Sequence, residues 1–163
     1  MTLSSDTADL AVDAVEDWWR LHQPHYPQAK RLLVEADSGG SNAARSRRYK
    51  KRLQDFADDS GLEITVCHYP PGTSKWNPIE HRLFSQIAAT WAGYVLSTMM
   101  ILLGFIRRTT TATGLRVTAT LFEKPYPTGL KVSNGEFKAI QLTRHEVCPQ
   151  WNYTIRPHPK HTE

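Results

Sequence analysis

The stretch LLVEADSGGSN, residues 32–42, carries the pattern from which the fold can be inferred. Its first residues form a short continuous apolar run, which is typical of a strand buried on both faces of a parallel sheet. We therefore predict a strand over residues 31–37, with Gly39 and Gly40 in the turn that follows. A second strand is predicted in LEITVCHY, residues 62–69, because this segment is rich in β-branched residues.

Helices are predicted on both sides of the first strand. One extends from Ser5 to His22, with Ser4 or Ser5 as its cap and acids in its first turns. The other covers residues 43–59, and Gly61 ends it. Because strands and helices alternate, the sequence predicts an α/β domain with parallel strand pairing.

The rest of the chain carries weaker patterns. A third helix is predicted from Pro78, with Asn77 as its cap, and a fourth helix through Ile106, with Ser97 as its cap. The later predictions are a strand in LRVTATLF (residues 115–122), a short helix over residues 136–142, a strand in WNYTI (residues 151–155) and a mobile tail over residues 158–163.

The composition is typical of one folded domain. Of 163 residues, 40% are hydrophobic and 22% are charged, which is enough apolar material for a core. The net charge of +4 weakly favours a polyanionic partner. Two cysteines and the lack of an export signal predict a reducing, cytoplasmic location.

The region between Arg82 and Arg107 contains no charged residue. A membrane span needs about 20 mostly apolar residues. This region reaches that length only by including several polar residues, so we predict two buried helices separated near Gly93 and no membrane partner.

Two acids lie at predicted element boundaries. Asp37 ends the first strand beside two glycines, and a carboxylate at the carboxyl end of such a strand is suited to binding a hard cation. The alternative is an Asp that caps a turn, the commoner role of a DSG sequence. Glu80 lies in the first turn of the third predicted helix, where the helix dipole favours an acid even without a further role.

The segment RSRRYKKR, residues 45–52, places six basic residues on the second predicted helix. Tyr49, Leu53 and Phe56 recur at helical spacing and form its predicted buried stripe. Arg47 and Lys51 would then lie on the exposed face. Such a charge density favours contact with a phosphate backbone; the alternative is a solvated helix face. The residues predicted to bind nucleic acid are Arg45, Arg47, Arg48, Lys51 and Lys75.

Cysteine and histidine spacing does not predict a zinc site. Structural zinc sites use two closely spaced ligand pairs. Adjacent Cys67 and His68 would point to opposite faces of a strand, which leaves only the pair His145 and Cys148.

Several longer segments resemble the DDE transposases. ADSGGSN, with Asp37, and YPPGTSKWNPIEHRLFS, with Glu80, are similar to the segments around the second and third acids of that superfamily. The phrase NPIEH is close to that of the IS630/Tc1-mariner group. The fuller pattern, from about Asp6 to Pro157, resembles the ISAzo13-type insertion-sequence transposases; it includes DTADLAVDAVEDWW, TTTATGLRV, YPTGLKVS and WNYTIRP.

This resemblance implies an RNase H-like catalytic domain that cleaves and transfers DNA strands. In the family, three carboxylates hold two Mg²⁺ ions that activate water or a DNA 3′-hydroxyl for attack on a phosphodiester. Asp37 and Glu80 would be two of the metal ligands, and Asn42 and Asn77 would be supporting residues. The partners would be transposon ends and target DNA, and homo-oligomers are an open alternative.

One acid of the family pattern is not found. In the family it lies on the first of three strands before the first helix, whereas this sequence opens at that helix. We therefore expect residues 1–157 to be a partial DDE catalytic domain, truncated at its N-terminal strands. We expect it to be inactive alone, with Mg²⁺ binding weakened or absent. A complementing N-terminal transposase half would be a further partner.

Two other classes of function remain open from the sequence. The first is a non-catalytic DNA-binding protein that uses the basic helix, residues 45–52. The second is a small membrane-associated protein that uses residues 96–106.

Overall fold

The computed structural model describes residues 4–70 and 72–159. Its elements are, in chain order, α1 (Ala8–His22), β1 (Arg31–Ala36), α2 (Arg47–Ser60), β2 (Glu63–His68), α3 (Ser85–Trp91), α4 (Met99–Arg108), α5 (Asn134–Ala139), β3 (Leu142–Arg144) and β4 (Asn152–Ile155). The chain divides into two compact units. In the described part, the sheet unit comprises residues 6–70 and 126–159, and the helical unit comprises residues 4–5 and 72–125.

The sheet unit is built on a four-stranded mixed sheet with the order β1-β2-β4-β3. β1 and β2 pair in parallel, with Arg31 opposite Glu63 and Ala36 opposite His68, which confirms the predicted parallel pair. β4 runs antiparallel to both β2 and β3. As a result, β2 and β4 are the central strands and β1 lies at an edge.

Helix α2 supplies the apolar stripe that packs on this sheet. Tyr49, Leu53 and Phe56 are buried, as the sequence predicts, and they belong to one core cluster with Ile64 and Tyr153 of the central strands. Helix α1 packs against α2 and adds its fully buried side chain at position 12 to the same cluster. The core therefore holds α2 against the central strands β2 and β4.

Both long helices begin later than predicted. Thr7, rather than Ser4 or Ser5, caps α1, and its hydroxyl accepts a hydrogen bond from the Leu10 amide at 3.3 Å. Ser46 caps α2 in the same manner, so Arg45 precedes the helix instead of lying on it. Hydroxyl side chains satisfy amides of the first turn that have no partner within the helix.

The predicted double burial of β1 is wrong. Leu32 and Val34 pack against the core, but Leu33, which points to the other face, is 59% exposed. Successive side chains of a strand point to opposite faces, and the core cluster covers only one face of this edge strand. A continuous apolar run therefore does not mean that both faces are buried.

Two predictions for the later chain are also wrong. Residues 114–121, which include most of LRVTATLF, form no regular strand. The helix predicted to reach Leu142 ends at Ala139, because Ile140 takes an extended backbone and its side chain enters the core. Leu142 then begins the short strand β3, whereas the predicted last strand is confirmed as β4.

In the helical unit, α3 and α4 pack against each other. Thr98, rather than Ser97, caps α4, and its hydroxyl accepts a hydrogen bond from the Ile101 amide at 3.2 Å. Leu103 and Phe105 are the buried apolar side chains of α4. Across residues 4–70 and 72–159, none of the helices has both the length and the apolar character that a membrane crossing requires.

The tail predicted to be mobile begins at residue 158. His158 contacts the Asp58 carboxylate at 3.0 Å and the Ala139 carbonyl oxygen at 3.0 Å. Residues 160–163 lie outside the described part, so mobility of the tail stays a prediction.

A pair of leucine substitutions tests the one-sided burial of β1. Leu53→Ala removes a side chain with no solvent exposure, so it should lower the free energy of unfolding by about 2–5 kcal/mol. Leu33→Ala, the matched control, should change it by less than about 0.5 kcal/mol. Urea unfolding followed by circular dichroism measures both. A cost for Leu33→Ala as large as that for Leu53→Ala would show that the outer face of β1 is covered.

Candidate functional site

Asp37 lies directly after β1, at the carboxyl end of the parallel pair, and is exposed. Its backbone oxygen accepts a hydrogen bond from Nδ1 of His68, at 3.2 Å. Gly39 adjoins the carboxylate, since a Cβ atom at Gly39 would lie 3.4 Å from Oδ2 of Asp37. Asp37 is therefore an acid that solvent ions can reach, and its metal-binding role stays a prediction.

His68 fixes this strand end and was not predicted as a site residue. Burial lowers the pKa of the imidazole, which keeps the ring neutral near pH 7. Since Nδ1 donates to Asp37, Nε2 must accept, and the Tyr153 hydroxyl donates to it at 3.2 Å. The period-two burial of β2, in which residues 64, 66 and 68 all point inward, is the sequence signal that could have identified His68.

The turn after Asp37 is held by short-range contacts. The Ser38 hydroxyl donates to the Tyr69 carbonyl oxygen at 2.7 Å and thereby joins the ends of the two parallel strands. Gly40 has a φ of 59°, in the left-handed region that favours glycine, and starts a 3₁₀ turn that ends at Asn42. Asn42 is half-buried there, and its supporting role stays a prediction.

Glu80 belongs to the helical unit, whereas Asp37 belongs to the sheet unit. Glu80 is half-buried and opens a single π-helical turn, Glu80–Phe84, which continues into α3. Such π turns occur frequently at functional sites. The Asn77 side chain accepts a hydrogen bond from the Ile79 amide at 3.2 Å, which confirms Asn77 as the cap of this helical segment.

The loop before Glu80 is tied back by His81. Its Nε2 donates to the Lys75 carbonyl oxygen at 2.9 Å, which fixes the short 3₁₀ turn that contains Lys75. The side chains of Lys75 and Trp76 are exposed. Nucleic-acid contact by Lys75 is compatible with this exposure and stays a prediction.

These residues do not complete the metal site that the resemblance implies. A two-metal site needs several oxygen ligands around each ion. Within residues 4–70 and 72–159, no group of three or more His, Cys, Asp or Glu side chains is placed to hold a metal ion. Asp37 offers one suitable carboxylate at a strand end, and further ligands would have to join it.

Part of the basic segment is neutralised by α1. The Arg48 guanidinium donates two hydrogen bonds to Asp9, at 3.0 and 2.6 Å. Arg52 contacts Asp13 at 2.9 Å and also lies near Glu16 of the same helix. Burial raises the pKa of Glu16, so this network is partly removed from water.

Lys51, predicted to lie on the exposed face, is half-buried and forms an ion pair with Asp55. Arg47 is exposed, as predicted, and its guanidinium donates to the Asn134 side chain at 2.7 Å. The basic segment thus separates into cations that face carboxylates and cations that do not.

The chain matches the model of a protein family described as Rhodopirellula transposase DDE domain, over residues 1–157. This match covers nearly the whole sequence, and the chain belongs to that family of transposase DDE domains. The predicted ISAzo13-type resemblance is confirmed at this level. No curated protein and no solved structure matches the chain.

Family membership supports a function in transposition and implies DNA as the partner. It also implies an RNase H-like fold, with which the α/β architecture and mixed sheet are consistent. Divalent metal ions are the general cofactors of DDE transposases.

The buried Lys50 provides a pH test of the site's electrostatics. Burial, with nearby Arg144, lowers its pKa to about 8. From about pH 7.5 to about 9.5, the folded chain loses this proton while the unfolded chain keeps it, so rising pH favours the folded state. Over this pH range, the free energy of unfolding of the wild type should rise more than that of Lys50→Met, by on the order of 1 kcal/mol.

Urea unfolding at several pH values measures this difference. His68 and Tyr153 also lie near Lys50, and both remain in the variant. Burial lowers the pKa of His68, so its imidazole is already neutral throughout this pH range and adds no difference between the two proteins. Lys51→Met serves as the control and should keep the wild-type pH dependence. An identical pH dependence in wild type and Lys50→Met would show that Lys50 is solvated.

Proposed function

We propose that the chain acts in DNA transposition through a DDE site in which Asp37 and Glu80 bind Mg²⁺. The observation that carries the proposal is the position of Asp37, exposed at the end of a parallel strand pair with its backbone held by neutral His68. Asn42 and Asn77 are the proposed supporting residues. The relationship to the IS630/Tc1-mariner group belongs to the same proposal.

The chain on its own is proposed to lack strand-cleavage activity. The position of β1 as an edge strand of its sheet supports this. An edge strand can pair with an added strand, and neighbouring strands lie about 4.8 Å apart. A strand that carries an acid and pairs with β1 would therefore bring a second carboxylate close to Asp37.

Such a strand would come from a complementing N-terminal transposase half, and residues 1–157 would then be the C-terminal part of the catalytic domain. A homo-oligomer is an alternative source of an added strand. A cytoplasmic location fits this proposal, since both cysteines, Cys67 and Cys148, are free thiols.

A second candidate function is non-catalytic DNA binding by the basic segment, residues 45–52. The observation that favours it is that some cations of this segment, among them Arg47, form no ion pair with a carboxylate of residues 4–70 and 72–159. This function requires DNA affinity but no metal site, so metal binding separates the two candidates.

Mn²⁺ binding and plasmid nicking together test the proposal. Isothermal titration with Mn²⁺ should show weak binding that Asp37→Asn reduces at least about tenfold, because the variant removes the ligand's charge. Asp59→Asn removes another exposed acid, on α2, and should leave Mn²⁺ affinity unchanged. Incubation of supercoiled plasmid with the chain and Mg²⁺ should give no nicked circles.

Each alternative result has a separate meaning. Nicking that Asp37→Asn and Glu80→Gln both abolish would support the assigned acids and refute the proposed inactivity of the chain alone. Mn²⁺ affinity that is the same in wild type, Asp37→Asn and Asp59→Asn would refute the metal role of Asp37. In that case, salt-dependent DNA affinity would favour the non-catalytic function.

A further inference from the structure

A cavity of about 490 Å³ lies beside the carboxyl end of β1. Ser38, the residue after Asp37, forms part of its wall, and all of its lining residues belong to the sheet unit. The side chains that give it chemical character are Arg45, Arg47, Lys50, Phe137, Arg144 and Trp151. Its volume is in the range of cavities that bind small organic ligands.

The charge of this cavity is entirely positive. Of the lining residues that the structure describes, four are Arg or Lys and none is Asp or Glu. In the described part of the chain, Arg45, Arg47 and Arg144 form no ion pair with a carboxylate, in contrast to Arg48 and Arg52. The unneutralised charge of the basic segment is therefore concentrated around one cavity that is open to solvent, which favours an anion.

Lys50 strengthens this charge from within the wall. Its side chain is 3% exposed, and its ammonium donates to the Ala44 carbonyl oxygen at 2.6 Å. The lowered pKa of Lys50, to about 8, results from burial and from the nearby Arg144. A bound anion would offset both of these unfavourable effects, because it would compensate the buried charge and reduce the repulsion between the two cations.

The cavity also contains two aromatic rings. The Arg47 guanidinium lies 4.8 Å from the centre of the Phe137 ring, so this ring already stacks with a cation. Trp151 is half-buried at the cavity and has no comparable ring or cation contact among the described residues. An indole in such a position offers a flat apolar surface to a planar ligand.

We propose that this cavity binds one nucleotide, with its phosphate held by Arg45 and Arg144 and its base stacked on Trp151. The combination of cations with an aromatic surface matches how proteins hold unpaired nucleotides. A base inside a duplex is stacked between its neighbours and cannot reach such a cavity. The expected source is an unpaired nucleotide of a DNA strand, a choice that rests on the proposed transposition function; a free nucleotide shares the same chemistry.

Fluorescence anisotropy with labelled DNA tests the proposal on the full chain. A short single strand should bind more tightly than a blunt duplex of the same length. Trp151→Leu should weaken single-strand binding roughly fivefold or more, because stacking on the indole is lost, and should leave duplex binding unchanged. Trp151→Phe should restore most of the affinity, and matching circular dichroism spectra establish that the variants are folded.

The phosphate part is tested by the double variant Arg45→Gln with Arg144→Gln. It should weaken single-strand binding and reduce the slope of log affinity against log salt by about 1–2. Arg20→Gln, which removes an exposed cation of α1 outside the cavity, should change neither quantity. Competition with dAMP should displace the labelled strand more effectively than inorganic phosphate at equal concentration.

Each possible result bears on a different part of the proposal. Equal affinity for single strand and duplex, with no effect of Trp151→Leu, would overturn the proposal. Displacement by inorganic phosphate as effective as that by dAMP would overturn the stacking part. Binding of dAMP, lost in the cavity variants, without binding of the single strand would keep a nucleotide site and overturn DNA as its source. Mn²⁺ titration of Trp151→Leu should match wild type, so failure of the cavity and failure of the metal site remain distinguishable.

Discussion

The ion pairs between α1 and α2 are the constraint on which the candidate nucleic-acid surface depends. Arg52 is half-buried and lies within 3.1 Å of both Asp13 and Glu16, and Arg48 binds Asp9. A buried guanidinium without acidic partners would be strongly destabilising. Helix α2 must therefore turn this side toward α1. Residues three or four positions apart share a helix face, so Arg47 and Lys50 are left together on a different side.

The same orientation links the core to the site. With Arg48 and Arg52 directed to α1, the buried stripe of α2 meets the central strands β2 and β4. His68 and Tyr153 come from these two strands, and together they fix the backbone of Asp37. The acid is thus exposed at its carboxylate but positioned through its main chain. A side chain that coordinates a metal ion benefits from both properties, because it must be held in place and remain accessible to the ion.

The sequence predicted the first half of the sheet unit well because its signals are local. The apolar stripe of α2, the left-handed Gly61 at its end and the β-branched run of β2 all act over a few residues. Hydroxyl caps were misplaced by a few positions, because several serines and threonines near each helix start can serve. Strand β3 was missed, because its three residues are strand only through pairing with β4.

Residue chemistry at Asp37, Glu80 and the basic segment could be read from the sequence alone, because motif identity and charge density do not depend on distant contacts. The resemblance to DDE transposases came from the same local information. Only the tertiary structure decides which cations are neutralised and which side of β1 is open. It also decides which distant residues border the site, namely His68, Tyr153, Trp151 and Arg144. These properties depend on pairs far apart in sequence, such as Arg48 with Asp9 and His68 with Tyr153, and packing alone brings such pairs together.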